Sequence, residues 1–125
     1  MKNIISTPNA PAAIGPYSQA VEAGGLIFIS GQLPVDPATG AMAPAEIKAQ
    51  TEAVIKNLES ILKSEGLSLE NVLKTTVFMA DLGQFAAMNE VYGRFFAANP
   101  PARATVEVKA LPKAALVEIE AVAAR

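Results

Sequence analysis

The spacing of apolar residues along the chain changes period several times, and each change marks an element. LIFISGQ (26–32) alternates Ile27 and Ile29 against Leu26, Phe28 and Ser30, the period of two expected of a half-buried strand. YSQAVEA (17–23) precedes it across Gly24-Gly25, a pair that permits positive φ at both central positions of a tight hairpin. From about Ala45 to Glu65 the period becomes helical. Ile47, Val54, Ile55, Leu58, Ile61 and Leu62 fall on one stripe, with Lys48, Glu52, Lys56, Glu59 and Lys63 mostly elsewhere. Pro44 suits the first turn of this helix, and Gly66 the position just past its end. LKTTVFMA (73–80) is rich in β-branched residues and reads as a strand. A second helix is expected over about Leu82 to Ala97, with Phe85, Met88, Tyr92, Phe95 and Phe96 as its stripe, stopped by Asn99-Pro100-Pro101. ATVEV (104–108) and LVEIEAVA (116–123) read as strands flanking the turn ALPKAA, and NIIST (3–7) is a further candidate. LPVDPATGAMAP (33–44), punctuated by proline and glycine, reads as a loop. The sum is an α+β fold, a sheet of four or five strands with two helices packed on one face, in one domain over residues 1–125.

Alternation also assigns faces. In the last strand Val117, Ile119, Ala121 and Ala123 share one side, and Leu116, Glu118, Glu120 and Val122 the other. In the strand after the prolines, Ala104, Val106 and Val108 form the small aliphatic side expected beneath the helices. Arg103, Thr105 and Glu107 then join Phe28 and Leu26 on a mixed second face. Composition bears on that face: 51% of the residues are hydrophobic and 18% charged, with mean hydropathy +0.31. That is apolar for a small domain; a very complete core or surface buried between subunits would explain it, and the second is favoured.

Charge and composition exclude several functions. The net charge is −2 and the isoelectric point near 5.1, and no basic stretch is present, so nucleic-acid binding gains no electrostatic support. No apolar run has membrane-spanning length, and the amino terminus lacks a hydrophobic signal core, which makes a cytoplasmic location the expectation. Cysteine and histidine are absent, excluding disulfides, thiolate nucleophiles, Cys/His zinc sites and an imidazole base. No metal or other cofactor is expected. Chemistry falls to carboxylates, Arg, Lys, Tyr, Ser, Thr, backbone groups and water.

Arg103 is the leading candidate, because its planar guanidinium can grip a carboxylate through two parallel hydrogen bonds. The bland alternative is a salt bridge to Glu107, Glu118 or Glu120. Glu120 lies in a strand suited to burial, where desolvation would raise its pKa and make it a proton carrier. Glu118, two residues away on the same side, is not distinguished from it by the sequence. Asn89 interrupts the second helical stripe between Phe85 and Tyr92, and its amide needs a partner, a ligand or more commonly a backbone carbonyl. Tyr17, Ser30 and Gly31 stand beside Gly and Pro positions where a ligand could approach or a hairpin could simply turn.

The stretches IGPYSQAV (14–21), IFISGQLPVDPATG (27–40), LKTTVFMADL (73–82), MNEVYGRFF (88–96), PPARATVEV (100–108) and LVEIEAVA (116–123) together resemble the Rid family, also called RidA or YjgF, end to end and in order. The resemblance implies a chorismate-mutase-like fold and a homotrimer with a barrel-like centre and clefts between subunits. It implies hydrolytic deamination of reactive 2-imino and 2-enamino acids, such as 2-aminoacrylate and 2-aminocrotonate, to 2-oxo acids and ammonia. The implied functional link is to the PLP-dependent dehydratases that release such intermediates. By this resemblance Arg103 matches the arginine holding the substrate carboxylate and Glu120 the acid that manages water. Tyr17, Ser30, Gly31 and Asn89 match cleft-lining positions, and Thr105 falls where some relatives carry cysteine. Ala114 stands where glycine is common. Within the family the alternatives are a non-catalytic carboxylate-binding or chaperone-like trimer, and last a ribonuclease.

Overall fold

In the computed structural model, which describes residues 1–125, six strands form one mixed sheet in the order β1-β2-β3-β6-β4-β5. The strands are β1 (Asn3–Ile5), β2 (Ala20–Ala23), β3 (Leu26–Gln32), β4 (Val72–Met79), β5 (Ala102–Glu107) and β6 (Val117–Ala124). All pairings are antiparallel except that of β4 with β5. The sixth strand, beyond the four or five expected, arises because three residues of NIIST pair with β2 and extend the edge. Gly24 and Gly25, at φ +59° and +78°, turn the β2–β3 hairpin as their sequence implies.

Helix α1 (Ile47–Ser64) and helix α2 (Phe85–Phe95) cover one face of the sheet. α1 starts later than proline placement suggested. Its N-cap is Glu46, whose carboxylate accepts from Lys48 N at 2.9 Å and Ala49 N at 3.0 Å, satisfying N–H groups that the helix itself leaves free. Gly66 follows the C-cap at φ +73°. The stripe residues Ile47, Val54, Ile55, Leu58, Ile61 and Leu62 are all buried, against Ile27, Ile29, Val77, Ile119 and Ala121 of the sheet. Burying a Leu or Ile side chain contributes about 1.5–3 kcal/mol, so this layer dominates the fold's stability. No helix is long and apolar enough to cross a membrane.

Two buried amides position the segments that border the site. Gln19 accepts from Thr7 N at 2.7 Å and donates to the carbonyls of Thr7, Ala10 and Pro11, so the proline-rich amino-terminal segment is held against β2. Asn57 donates to the carbonyls of Leu33 and Val35 at 3.0 and 2.9 Å, tying the 33–44 loop to α1. A carbonyl buried without such a donor would cost about 1–3 kcal/mol. At the far corner Arg125 grips Glu22 of β2 with two N–H groups and Glu65 beside α1 with a third.

The sheet's second face is open. Phe28 is 45% exposed and Val106 41%, with Leu26 and Ile4 also exposed. One expectation about the two faces fails. Parallel pairing sets Arg103 beside Thr75 and Thr105 beside Val77, and both of these β4 residues are buried under the helices. Arg103 and Thr105 therefore lie on the helix side, and Ala104 and Val106 face outward. The cause is β5's place at the sheet edge, past the full cover of the helices. There the Arg103 guanidinium lies over a ring of α2 while small aliphatic residues serve the open face.

Candidate functional site

The residues singled out by sequence fall into two clusters, on opposite faces of the sheet. Pro100 and Pro101 end the turn after α2 and deliver the chain into β5, so the base of Arg103 is fixed by proline and by the ladder with β4. The guanidinium carbon stands 4.7 Å from the centre of the Tyr92 ring and 5.4 Å from that of Phe85. Arg103 Nη1 donates to Asn89 Oδ1 at 2.7 Å. Tyr92 is itself held from below, its hydroxyl 2.7 Å from Thr75 Oγ1. Burial, tempered by that bond and by the Arg103 charge, raises the Tyr92 phenol above its ordinary range. Thr105, two residues along β5, has a buried hydroxyl with no partner.

The ordinary salt bridge considered for Arg103 does not form. None of the six ion pairs includes it. Glu107 instead accepts from Leu82 N at 2.9 Å, and Glu118 and Glu120 sit across the sheet. Asn89 likewise finds a side-chain partner rather than a backbone carbonyl. The cluster is a fixed, uncompensated cation with most of its donors unused.

The second cluster gathers around an irregularity in β3. Pairing with β6 slips between Ile29 and Gln32, so Ser30 and Gly31 form a bulge. Ser30 Oγ donates to Ser18 O at 2.6 Å, and Ser30 N to Gln19 O at 2.9 Å, which brings the Tyr17–Ser18 segment alongside. Glu118 reaches across from β6 and lies directly on Gly31. A β-carbon there would overlap Glu118 Oε2 and stand 2.9 Å from its Cδ, so the bulge needs glycine for the carboxyl to rest where it does. Tyr17, Ser30, Gly31, Glu118, Glu120 and Lys113 line a cleft of about 830 Å³. A neighbouring cleft of about 650 Å³ shares Tyr17, Ser30 and Glu120.

The two acids differ. Burial, and secondarily the Glu120 charge, hold the Glu118 carboxyl above the usual carboxylate range. Glu120, two residues on, is exposed and points the same way. The desolvation that the sequence suggested for Glu120 thus falls on Glu118. Phe85, Tyr92 and Thr75 are the further participants that sequence reasoning did not assign to the site. The signal for the two rings was the 85–89–92 spacing, which puts them and an amide on one helical stripe facing β5, whereas Thr75 on β4 had none.

The chain therefore presents an unpaired guanidinium on one face, and a partly desolvated carboxyl beside a cleft on the other. Arg103 and Glu120 do not meet within one copy, contrary to the shared face expected of them. No group of three or more Asp or Glu side chains is arranged to hold a metal ion.

Comparison with known proteins agrees with the full-length resemblance. Residues 7–125 match the family described as endoribonuclease L-PSP. A RutC family protein of Pyrococcus horikoshii is 52% identical over 123 residues, covering 98% of each chain. A mouse protein named 2-iminobutanoate/2-iminopropanoate deaminase is 47% identical over 98% of this chain and 91% of its own length. The crystal structure of Escherichia coli TdcF with bound serine superposes with a TM-score of 0.94 at 46% identity, covering 98% of both chains. With the α+β sheet, the two helices on one face and the PPARATVEV strand all in place, the chain belongs to the Rid (YjgF) family.

Proposed function

We propose that the protein hydrolyses reactive 2-imino and 2-enamino acids to 2-oxo acids and ammonia. The observation that carries this reading is Arg103, a guanidinium fixed in place with no acid to neutralise it and therefore ready for a substrate carboxylate. The names of the mouse relative and of a plant reactive intermediate deaminase, 48% identical, support the same chemistry. A homotrimer with the open sheet faces turned to a barrel-like centre accompanies the proposal. In it the Arg103 half-site of one copy meets the Tyr17–Ser30–Gly31–Glu118–Glu120 half-site of its neighbour, because one chain keeps these groups on opposite faces.

In this reading the substrate enters as a protonated imine, or becomes one when the enamine carbon takes a proton. Arg103 fixes the carboxylate and so orients the imine carbon. Water adds to that carbon as its proton passes to a carboxylate. The amine nitrogen of the resulting carbinolamine is then protonated, the C–N bond breaks, and ammonia leaves as the hydroxyl becomes the C=O of the 2-oxo acid. Glu118 is favoured over Glu120 for the proton transfers, since its raised pKa brings it nearer the working pH. Positioning and electrostatics account for the rate enhancement, because the uncatalysed reaction already proceeds in water.

The decisive assay couples the protein to threonine dehydratase and follows early 2-oxobutanoate formation. The expected result is faster hydrolysis, reduced at least about tenfold in Arg103→Ala, the loss expected for one charge-assisted bond. No acceleration, or acceleration that survives this substitution, would overturn the reading. A binding-only trimer is the second reading, favoured by the serine held in the TdcF relative. Saturable binding of 2-oxobutanoate with no turnover of imines would select it.

A further inference from the structure

An arginine that keeps its charge for a ligand needs neighbours that fix it without neutralising it. Three residues of α2 meet that requirement. Asn89 Oδ1 takes one N–H at 2.7 Å, and the rings of Tyr92 and Phe85 lie 4.7 and 5.4 Å from the guanidinium carbon. At positions 85, 89 and 92 they share one helical stripe. The arrangement closes on itself, for Tyr92 is bonded to Thr75, and Thr75 is Arg103's register partner on β4. A guanidinium has five N–H donors, and only one is taken by protein.

We propose that Phe85, Asn89 and Tyr92 are positioning residues, a neutral cradle that aims Arg103 and sets the site's affinity for carboxylates. The proposal rests on the reading of Arg103 as the carboxylate anchor. It departs from the expectation that Asn89 contacts substrate itself. The amide oxygen holds Nη1 by a dipole alone, and the ring faces add a cation–π attraction without a counter-charge. A carboxylate at position 89 has the same shape as the amide, yet it would supply the ion pair that a ligand should supply. The cradle therefore works because it is uncharged.

The test is calorimetric titration of 2-oxobutanoate into the full chain and its variants. Asn89→Asp, which preserves shape, should weaken binding at least about tenfold and more than Asn89→Ala does. Phe85→Leu and Tyr92→Leu should each weaken it about two- to fivefold, and Tyr92→Phe should restore most of the loss seen in Tyr92→Leu. In an Arg103→Lys background, Asn89→Ala and Phe85→Leu should add less than about a twofold effect, since they act through the guanidinium. Full additivity in that background, or Asn89→Asp binding as well as Asn89→Ala, overturns the cradle and leaves the anchor standing. If Arg103→Ala itself binds 2-oxobutanoate like the unaltered chain, the anchor reading falls and the cradle with it.

Discussion

Thr105 Oγ1 is shut off from water and has no hydrogen-bond partner, on a strand whose next helix-facing residue is Arg103. A buried unpaired hydroxyl costs about 1–3 kcal/mol. Thr105→Val keeps the shape and removes the polar atom, so thermal unfolding should show a gain of about 1 kcal/mol. A loss of stability would mean that the hydroxyl is paired across a subunit contact. Glu118 makes the complementary case, a carboxyl desolvated on the open face. Its carboxyl binds a proton more tightly folded than unfolded, so stability falls as pH rises from the ordinary Glu range through the raised value. Glu118→Gln removes that dependence. Unfolding midpoints measured from acid to neutral pH should show the variant gaining on its parent as pH rises. Imine hydrolysis should drop by about a hundredfold or more. Choosing between Glu118 and Glu120 was beyond the sequence, because residues two apart on a strand share every periodic property. What separates them is a glycine bulge on the neighbouring strand, 87 positions away in the chain at Gly31.

At the scale of elements, β3, β6 and α1 were readable because each has one face against the core, and hydropathy records which. β5 was misphased for the opposite reason. It is an edge strand whose inward side chains meet α2 through a guanidinium against two rings, so polarity no longer marks the buried side. The pairing of Arg103 with Asn89 was hidden for the same reason, although the spacing of Phe85, Asn89 and Tyr92 was visible. The Leu111–Ala115 turn carries a different strain. Lys113 and Ala114 both adopt the left-handed region, at φ 58° and 55°, where a β-carbon crowds the backbone. Ala114→Gly should relieve this and stabilise by about 0.5–1 kcal/mol, as measured in denaturant unfolding. Because Pro112 and Lys113 border the larger cleft, the same variant should also alter the cleft's mouth. A loss of substrate affinity alongside the gain in stability would reveal that the strain is functional.

The whole molecule exposes Phe28, Leu26, Ile4 and Val106 on the face opposite its helices, and this accounts for the excess of apolar composition that one small core does not use. A charge there tests what the face is for. Phe28→Glu should leave the far-ultraviolet spectrum unchanged, shift the sedimenting species to lower mass and abolish imine hydrolysis. An unchanged mass would separate the open face from assembly. Overall architecture followed from periodicity, whereas the placing of the candidate site residues did not, because Arg103 and Glu120 lie on opposite faces of the sheet.

In the proposed homotrimer, that separation of Arg103 from Glu118 on opposite faces of one sheet has a genetic consequence. Arg103→Ala and Glu118→Gln damage different halves, so each variant alone should be impaired while still carrying one intact half. Dissociated, mixed in equal amounts and reassembled, the two would form rings in which about one site in four draws both intact halves from different copies. Two impaired alleles in one cell would then complement each other, without recombination and without either protein being repaired.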